Sequence, residues 1–280
     1  MFAWLQARHR RQILKRPFPE SWNAILERNV AHWKFLGDAE RVHLRSLIQV
    51  FIAEKQWDGC GGLELTDEIQ VTIAGLACLL LLGLDHMLYS NVKTICVYRS
   101  TVVAPGQRSV DSSGITLQGP EVPIYGQSIL RGPVVLAWDA VLRGAHHPER
   151  GHNVVYHEFA HKLDMLDGCV NGTPPLADRA QYERWIAVCT REYELLRRRA
   201  SKGKRTLLDG YGSTNPGEFF AVITECFFDK PVQMKQHHQE LYTLLQEFYR
   251  QDPAAREARH LRGHLDSGNA DHSERPGVHG

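Results

Sequence analysis

The most apolar run in the chain is VTIAGLACLLLLGL, residues 71–84. It is 14 residues long, short of the roughly 20 that cross a bilayer. It therefore suits a buried core helix better than a membrane span, and a buried helix needs other elements around it. The chain has 280 residues, 43% hydrophobic and 23% charged, which is enough to build that core. Thr66 and Glu68 open the helix, which should run to about Leu82. The length allows one large domain or two small ones.

The formal net charge is +1, so no global field draws in nucleic acid or acidic lipid. Six cysteines are present, none as C-x-x-C, and several lie in apolar runs such as ACLLLLG. They read as buried reduced thiols of a cytosolic protein. The opening stretch, MFAWLQARHRRQILKRPFPE, is basic but lacks the apolar region and cleavage site of a secretory signal. The expected location is the cytoplasm.

Three segments follow from the patterning. Residues 1–20 read as a basic arm, a solvated lead-in or a membrane-surface segment. Residues 21–252 read as a single domain, and residues 253–280 as a disordered polar tail. Within the domain, Ser21 caps a helix to about Leu36 and Asp38 caps another to about Lys55. Gly59, Gly61 and Gly62 mark a turn rather than a phosphate loop, because no GK[ST] follows. Residues 94–99 and 133–138 are β-rich, with Gly and Pro between them, as in a small sheet with long connections. Helices are expected at about 153–166, 178–199, 216–228 and 233–249. The basic cluster from Arg197 to Arg205 complements a helix C-terminus.

The chemistry concentrates in VVYHEFAHKLD, residues 154–164. His157 and His161 are four apart, so they share one face of a helix. Two imidazoles so placed can meet one ion at about 2.0–2.1 Å each. Glu158, one step from His157, points to where a polarised water would lose its proton. Two histidines on an ordinary helix remain the plain alternative, since three fixed positions match by chance. Val154, Val155, Phe159, Ala160 and Leu163 make the flanks apolar, and a buried histidine pair needs partners. Asp164 falls on the same face and either accepts a ring N–H from a ligand or is a surface charge.

A catalytic zinc takes three protein ligands and keeps one position open. Asp167 is six residues beyond His161, but the helix has no glycine at position 164 to turn the chain, so Asp167 drifts away. The segment NPGEFFAVITECFF, residues 215–228, offers Glu218 and Glu225, seven apart and nearly on one helix face. Carboxylates on so apolar a helix are costly to bury unless paired or metal-bound. Glu218 is also explained as a first-turn glutamate, and Glu225 as an outer acceptor or a cap for a neighbouring loop. His146, His147, His237 and His238 read as solvated. No G-x-S-x-G is present, and no cysteine lies in a nucleophile signature.

Further stretches stand out: GLELTDE at 62–68 and the leucine-rich helix after it, GQS near 126, GPVVLAW at 132–138 and NVVYHEFAHKLD at 153–164. Tyr211 before NPGEFFAVITECFF, and FYRQDP at 248–253, complete the set. Together they resemble the Mlc titration factor A family of bacterial zinc metallopeptidases. The resemblance covers most of residues 20–252, and the family is similar to the catalytic domain of anthrax lethal factor. It implies an α+β fold, a mostly helical zincin-like metallopeptidase domain with a small mixed sheet beside the HExxH helix. It implies one Zn²⁺ per chain held by His157, His161 and Glu218, with Glu158 as base and Tyr211 facing the metal. It further implies aminopeptidase-like cleavage of peptides and a protein partner of the Mlc repressor type, with no direct nucleic-acid binding. A peptide would add a strand at a sheet edge, expected at 132–138. The competing readings are a repressor-binding regulator in which catalysis is secondary, and a helical protein with a coincidental motif.

Overall fold

The structure is a computed structural model that describes residues 2–84, 89–104, 108–110, 116–118, 122–124, 126–128 and 132–270. Helices α1 (Phe2–Ile13), α2 (Glu20–Asn29) and α3 (Asp38–Glu54) lead into strand β1 (Gln56–Cys60) and helix α4 (Asp67–Leu79). Strands β2 (Thr94–Tyr98), β3 (Val102–Ala104), β4 (Arg108–Val110), β5 (Thr116–Gln118), β6 (Val122–Ile124), β7 (Gly126–Ser128) and β8 (Val134–Ala137) follow. The remainder is helical: α5 (Trp138–His146), α6 (Val154–Asp164), α7 (Arg179–Ala200), α8 (Pro216–Asp229), α9 (Pro231–His237), α10 (Gln239–Tyr249) and α11 (Pro253–Ala270). The fold is α+β and mostly helical.

Helix α4 carries the apolar run at the centre. Every residue from Val71 to Leu79 is buried, and the Thr66 hydroxyl caps the helix by accepting from Ile69 N–H. Helices α2, α3, α5 and α6 all pack on it. Gly75 lets α2 come close, since a Cβ there would lie 2.8 Å from a Leu26 methyl. That approach offsets the cost of a glycine inside a helix.

The main sheet has the order β1-β2-β8-β7, with β1, β2 and β8 parallel and β7 antiparallel to β8. Ile95 faces Val134 and Val97 faces Leu136 in register, and all four are fully buried. Two antiparallel pairs, β3 with β6 and β4 with β5, lie in the long connection. The expected edge at 132–138 is an inner strand instead, because β8 is paired on both sides and its apolar residues are covered. The edges are β1 and β7, and β7 lies against α6.

Other differences have local causes. The helix expected to reach Leu36 stops at Asn29, and a 3-10 turn (Ala31–Phe35) follows the extended, buried Val30. The helix expected at 233–249 is two, broken at His238, whose ring is held 2.8 Å from Glu192. Residues 138–146, not anticipated as a helix, form α5 directly after β8. The basic arm contains α1, pinned when the Arg10 guanidinium donates to both Glu54 oxygens at 2.7 and 2.8 Å. The polar composition after 252 pointed to disorder, yet residues 253–270 form α11. Asp252 accepts from Ala255 N–H at its start, and the buried Arg256 donates to Glu40. The last ten residues of the expected tail, 271–280, lie outside the described residues. Among the described residues no helix is long and apolar enough to cross a membrane.

Candidate metal centre

Helix α6 starts on Asn153. Its side-chain oxygen accepts from Tyr156 N–H at 3.2 Å, and its backbone N–H donates to Glu225 at 2.7 Å. Val155, Phe159, Ala160 and Leu163 sink into the core. The opposite stripe, carrying His157 and His161, turns toward α8, the helix that packs most closely on α6. Helix α8 is capped in turn by Asn215, which accepts from Glu218 N–H at 3.0 Å, with Pro216 in the first turn. From Phe219 to Asp229 every residue is buried. Two capped, buried helices thus fix the three side chains relative to one another.

His157, His161 and Glu218 converge. His157 Nε2 lies 2.9 Å from Glu218 Oε2, His161 Nε2 lies 3.5 Å from the same oxygen, and the two ring nitrogens are 3.3 Å apart. Tetrahedral ligands at about 2.0–2.1 Å from an ion sit about 3.3 Å from each other. The donor set therefore fits a small divalent ion both in spacing and in chemistry, two imidazoles and a carboxylate. Glu225 completes the arrangement from behind. Its Oε1 accepts from His157 Nδ1–H at 2.7 Å while its Oε2 holds the start of α6. That bond fixes the ring so that His157 Nε2 faces the converging atoms. The sequence left Glu225 between an outer acceptor and a loop cap, and it fills both roles.

The electrostatics follow from burial against pairing. Burial raises the Glu218 carboxyl, but hydrogen bonds from His157 and His161 outweigh it and bring the pKa down to about 2. Burial opposes a charge on His157, yet its bonds to Glu218 and Glu225 raise its pKa well above the usual histidine range. Glu158 is the contrary case. It is buried, its Oε2 has no partner among the described residues, and desolvation raises its pKa to about 7 against the pull of His157 and His161.

Tyr211 lies beside His157 and Glu218 and is partly exposed. It lies in a 3-10 turn (Gly210–Ser213) whose Asp209 carboxylate accepts from Tyr211 N–H at 2.7 Å. Its ring centroid is 5.9 Å from that of His157, and the residue is 56% exposed. Partial burial and the Glu218 charge raise its pKa.

Both readings of Asp164, ring acceptor and surface charge, fail here, and the residue is fully buried. Asp164 accepts no ring N–H among the described residues, and His161 Nδ1 is buried without a partner. Asp164 instead accepts from Gly172 N–H at 2.9 Å and Thr173 N–H at 2.8 Å, fastening the loop after α6. Asp167 turns away to accept from Cys169 N–H. The spare histidines have other partners: His146 meets Asn29, His147 meets Glu149 and His238 meets Glu192. Gly172 escaped notice in the sequence, although Asn171-Gly172 is a turn signal. It has φ +75°, and a Cβ there would lie 2.3 Å from Pro216 O. The loop held by Asp164 is thereby pressed onto the turn that carries Glu218.

Known proteins point the same way. The sequence profile of the glucose-regulated metallo-peptidase M90 family matches residues 4–250. An uncharacterized protein of Synechocystis sp. is 38% identical over 251 residues, 89% of this chain and 90% of that protein. Mlc titration factor A of Pectobacterium atrosepticum is 33% identical over 244 residues, 85% of this chain and 88% of that protein. Mlc titration factor A of Serratia proteamaculans is 34% identical over 228 residues, 79% of this chain and 84% of that protein.

Proposed function

The chain belongs to the glucose-regulated metallo-peptidase family M90, and from that premise we propose that it is a zinc-dependent, aminopeptidase-like peptidase. The observation that carries this reading is the convergence of His157 Nε2, His161 Nε2 and Glu218 Oε2 within 2.9–3.5 Å, beside the buried Glu158, whose Oε2 has no partner among the described residues. His157, His161 and Glu218 would hold the Zn²⁺, which would supply Lewis acidity toward a peptide carbonyl and toward water. Glu158 takes the proton of the attacking water and returns it to the leaving amine. The Tyr211 hydroxyl donates to the oxygen that becomes negative. Glu225 keeps His157 in the required tautomer. An extended peptide pairs with the sheet at β7, the edge that lies against α6.

Zinc content per chain tests the clamp. The expected result is about one ion in wild type and none in His161→Ala or Glu218→Ala. Wild type that takes up no zinc when metal is added ends the reading. Glu158→Gln should keep its metal and lose about 10²–10⁴-fold in kcat on peptide substrates. Normal cleavage by that variant removes Glu158 from the mechanism.

A second reading has its own support, the name of the relatives called Mlc titration factor A. On that reading the chain sequesters a repressor of the Mlc type by protein contact, without touching nucleic acid, and cleavage is secondary. Glu158→Gln separates the two, since a regulator still captures the repressor without turnover. We place either activity in the cytoplasm, in keeping with six cysteines that form no disulfide.

A further inference from the structure

A second set of basic groups lies apart from the metal centre. Helix α7 ends in Arg197, Arg198 and Arg199, and the chain then reverses through Gly203, which has φ +61°. The stretch 197–205 reads RRRASKGKR, with six cations and no acid. A helix C-terminus accounts for cations in its last turn. It does not account for Arg205, six residues beyond Arg199, facing the same cavity.

That cavity, of about 380 Å³, is lined by Arg199, Arg205, Thr206, His237 and His238, with Glu192 at its wall. It forms because the reversed chain packs back along α7 while the break between α9 and α10 places both histidines opposite. Arg199, Arg205 and His237 make no ion pair or side-chain hydrogen bond among the described residues. Neighbouring arginines on the same helix are paired, as Arg184 is with Glu247 and Arg191 with Glu240. The acid at the wall is already engaged, since Glu192 faces the His238 ring at 2.8 Å and the Arg191 guanidinium at 3.5 Å.

We propose that this cavity is a binding site for a small phosphate-bearing anion, a phosphomonoester. Two guanidinium forks match the paired oxygens of a phosphate better than a single carboxylate does. The Thr206 hydroxyl, now donating to Leu208 O, and the His237 ring add polar atoms at the same wall. The volume accommodates a metabolite-sized ligand rather than a bare ion. The site is independent of the peptidase reading. The chain that carries Arg205 and Thr206 nevertheless runs on through Leu208 to Asp209 and the Tyr211 turn beside the metal centre.

Titration calorimetry with inorganic phosphate tests the site on the full chain. A His161→Ala background is measured in parallel, so that anion binding to a metal cannot contribute. Saturable binding should appear in both, and Arg199→Ala/Arg205→Ala should weaken it roughly tenfold or more. Arg199→Lys/Arg205→Lys keeps the charge but removes the forks, and should bind more weakly than wild type; it serves if the alanine pair does not fold. Arg8→Ala/Arg11→Ala, on α1, should bind as wild type does. Absence of saturable binding in wild type overturns the proposal. So does undiminished binding by both cavity variants, or an equal loss in the α1 variant, which would mean diffuse charge attraction.

Discussion

Helix α8 treats its carboxylates in two opposite ways. Glu218, half-buried in the first turn, and Glu225, buried one turn before the end, have their charges answered: His157 and His161 meet Glu218, while the His157 ring and Asn153 N–H meet Glu225. At its last residue, Asp229 is buried and neither carboxyl oxygen has a partner among the described residues. His32 is near, its Nε2 3.5 Å from Asp229 Oδ1, but that nitrogen donates to Phe228 O at 2.9 Å, and its Nδ1 accepts from the Tyr156 hydroxyl. Desolvation, and then the charge of Glu225, raise the Asp229 pKa well above the carboxylate range. A carboxyl in this core either collects donors and stays ionised, or keeps its proton. The group of His157, His161 and Glu218 could hold a cation; Asp229 belongs to no such group among the described residues.

Glu225→Gln tests the paired carboxylates most sharply. It removes the acceptor that orients His157 and weakens the hold on α6, so zinc affinity in a chelator competition should fall about 10–100-fold. Unchanged affinity would mean that helix packing alone orients the ring. Asp229→Asn tests the unpaired one. It removes the ionisable group from a place that does not satisfy it, and should raise stability at pH 7 by about 1–3 kcal/mol in urea unfolding. The gain should shrink on acidification. A raised folded-state pKa gives stability that is present below the unfolded pKa and lost as pH climbs toward the folded value. Stabilisation that persisted undiminished at pH 4 would contradict a protonated Asp229. The smallest effect belongs to His32. Burial lowers its pKa to about 4, so the folded state excludes a proton that the unfolded chain accepts. Stability should therefore decline as pH falls from about 6.5 toward 4, by about 1 kcal/mol between pH 7 and 5.5. His32→Gln should flatten that slope, and a variant with the wild-type slope would assign it elsewhere.

Much of this was legible in the residues, and the failures have physical reasons. The buried helix at α4, the HEFAH stripe on α6 and the seven-residue spacing of Glu218 and Glu225 could be read because periodicity and burial cost act locally. Asp164 was misread because periodicity says which face a residue occupies and not which backbone N–H folds over it. The inner position of β8 depended on β7, a partner eight residues upstream whose three-residue strand has no periodicity of its own. Helix α11 was missed because polar composition hid one ion pair, Arg256 with Glu40, whose partners are 216 residues apart. The break at His238 likewise rests on a tertiary contact with Glu192.

The double grip of Glu225 has a consequence for the life of the protein without its ion. In small zinc modules the ion nucleates the chain, so starvation for metal means loss of the fold. Here the helix starts are capped by Asn153 and Asn215, and the ring of His157 is held by a carboxylate from the neighbouring helix. These bonds join atoms of the chain itself, so on the proposed reading an ion would be added to helices whose caps do not depend on it. Metal supply would set how much of the population is active, while synthesis and turnover set how much is present, and the two could be adjusted separately.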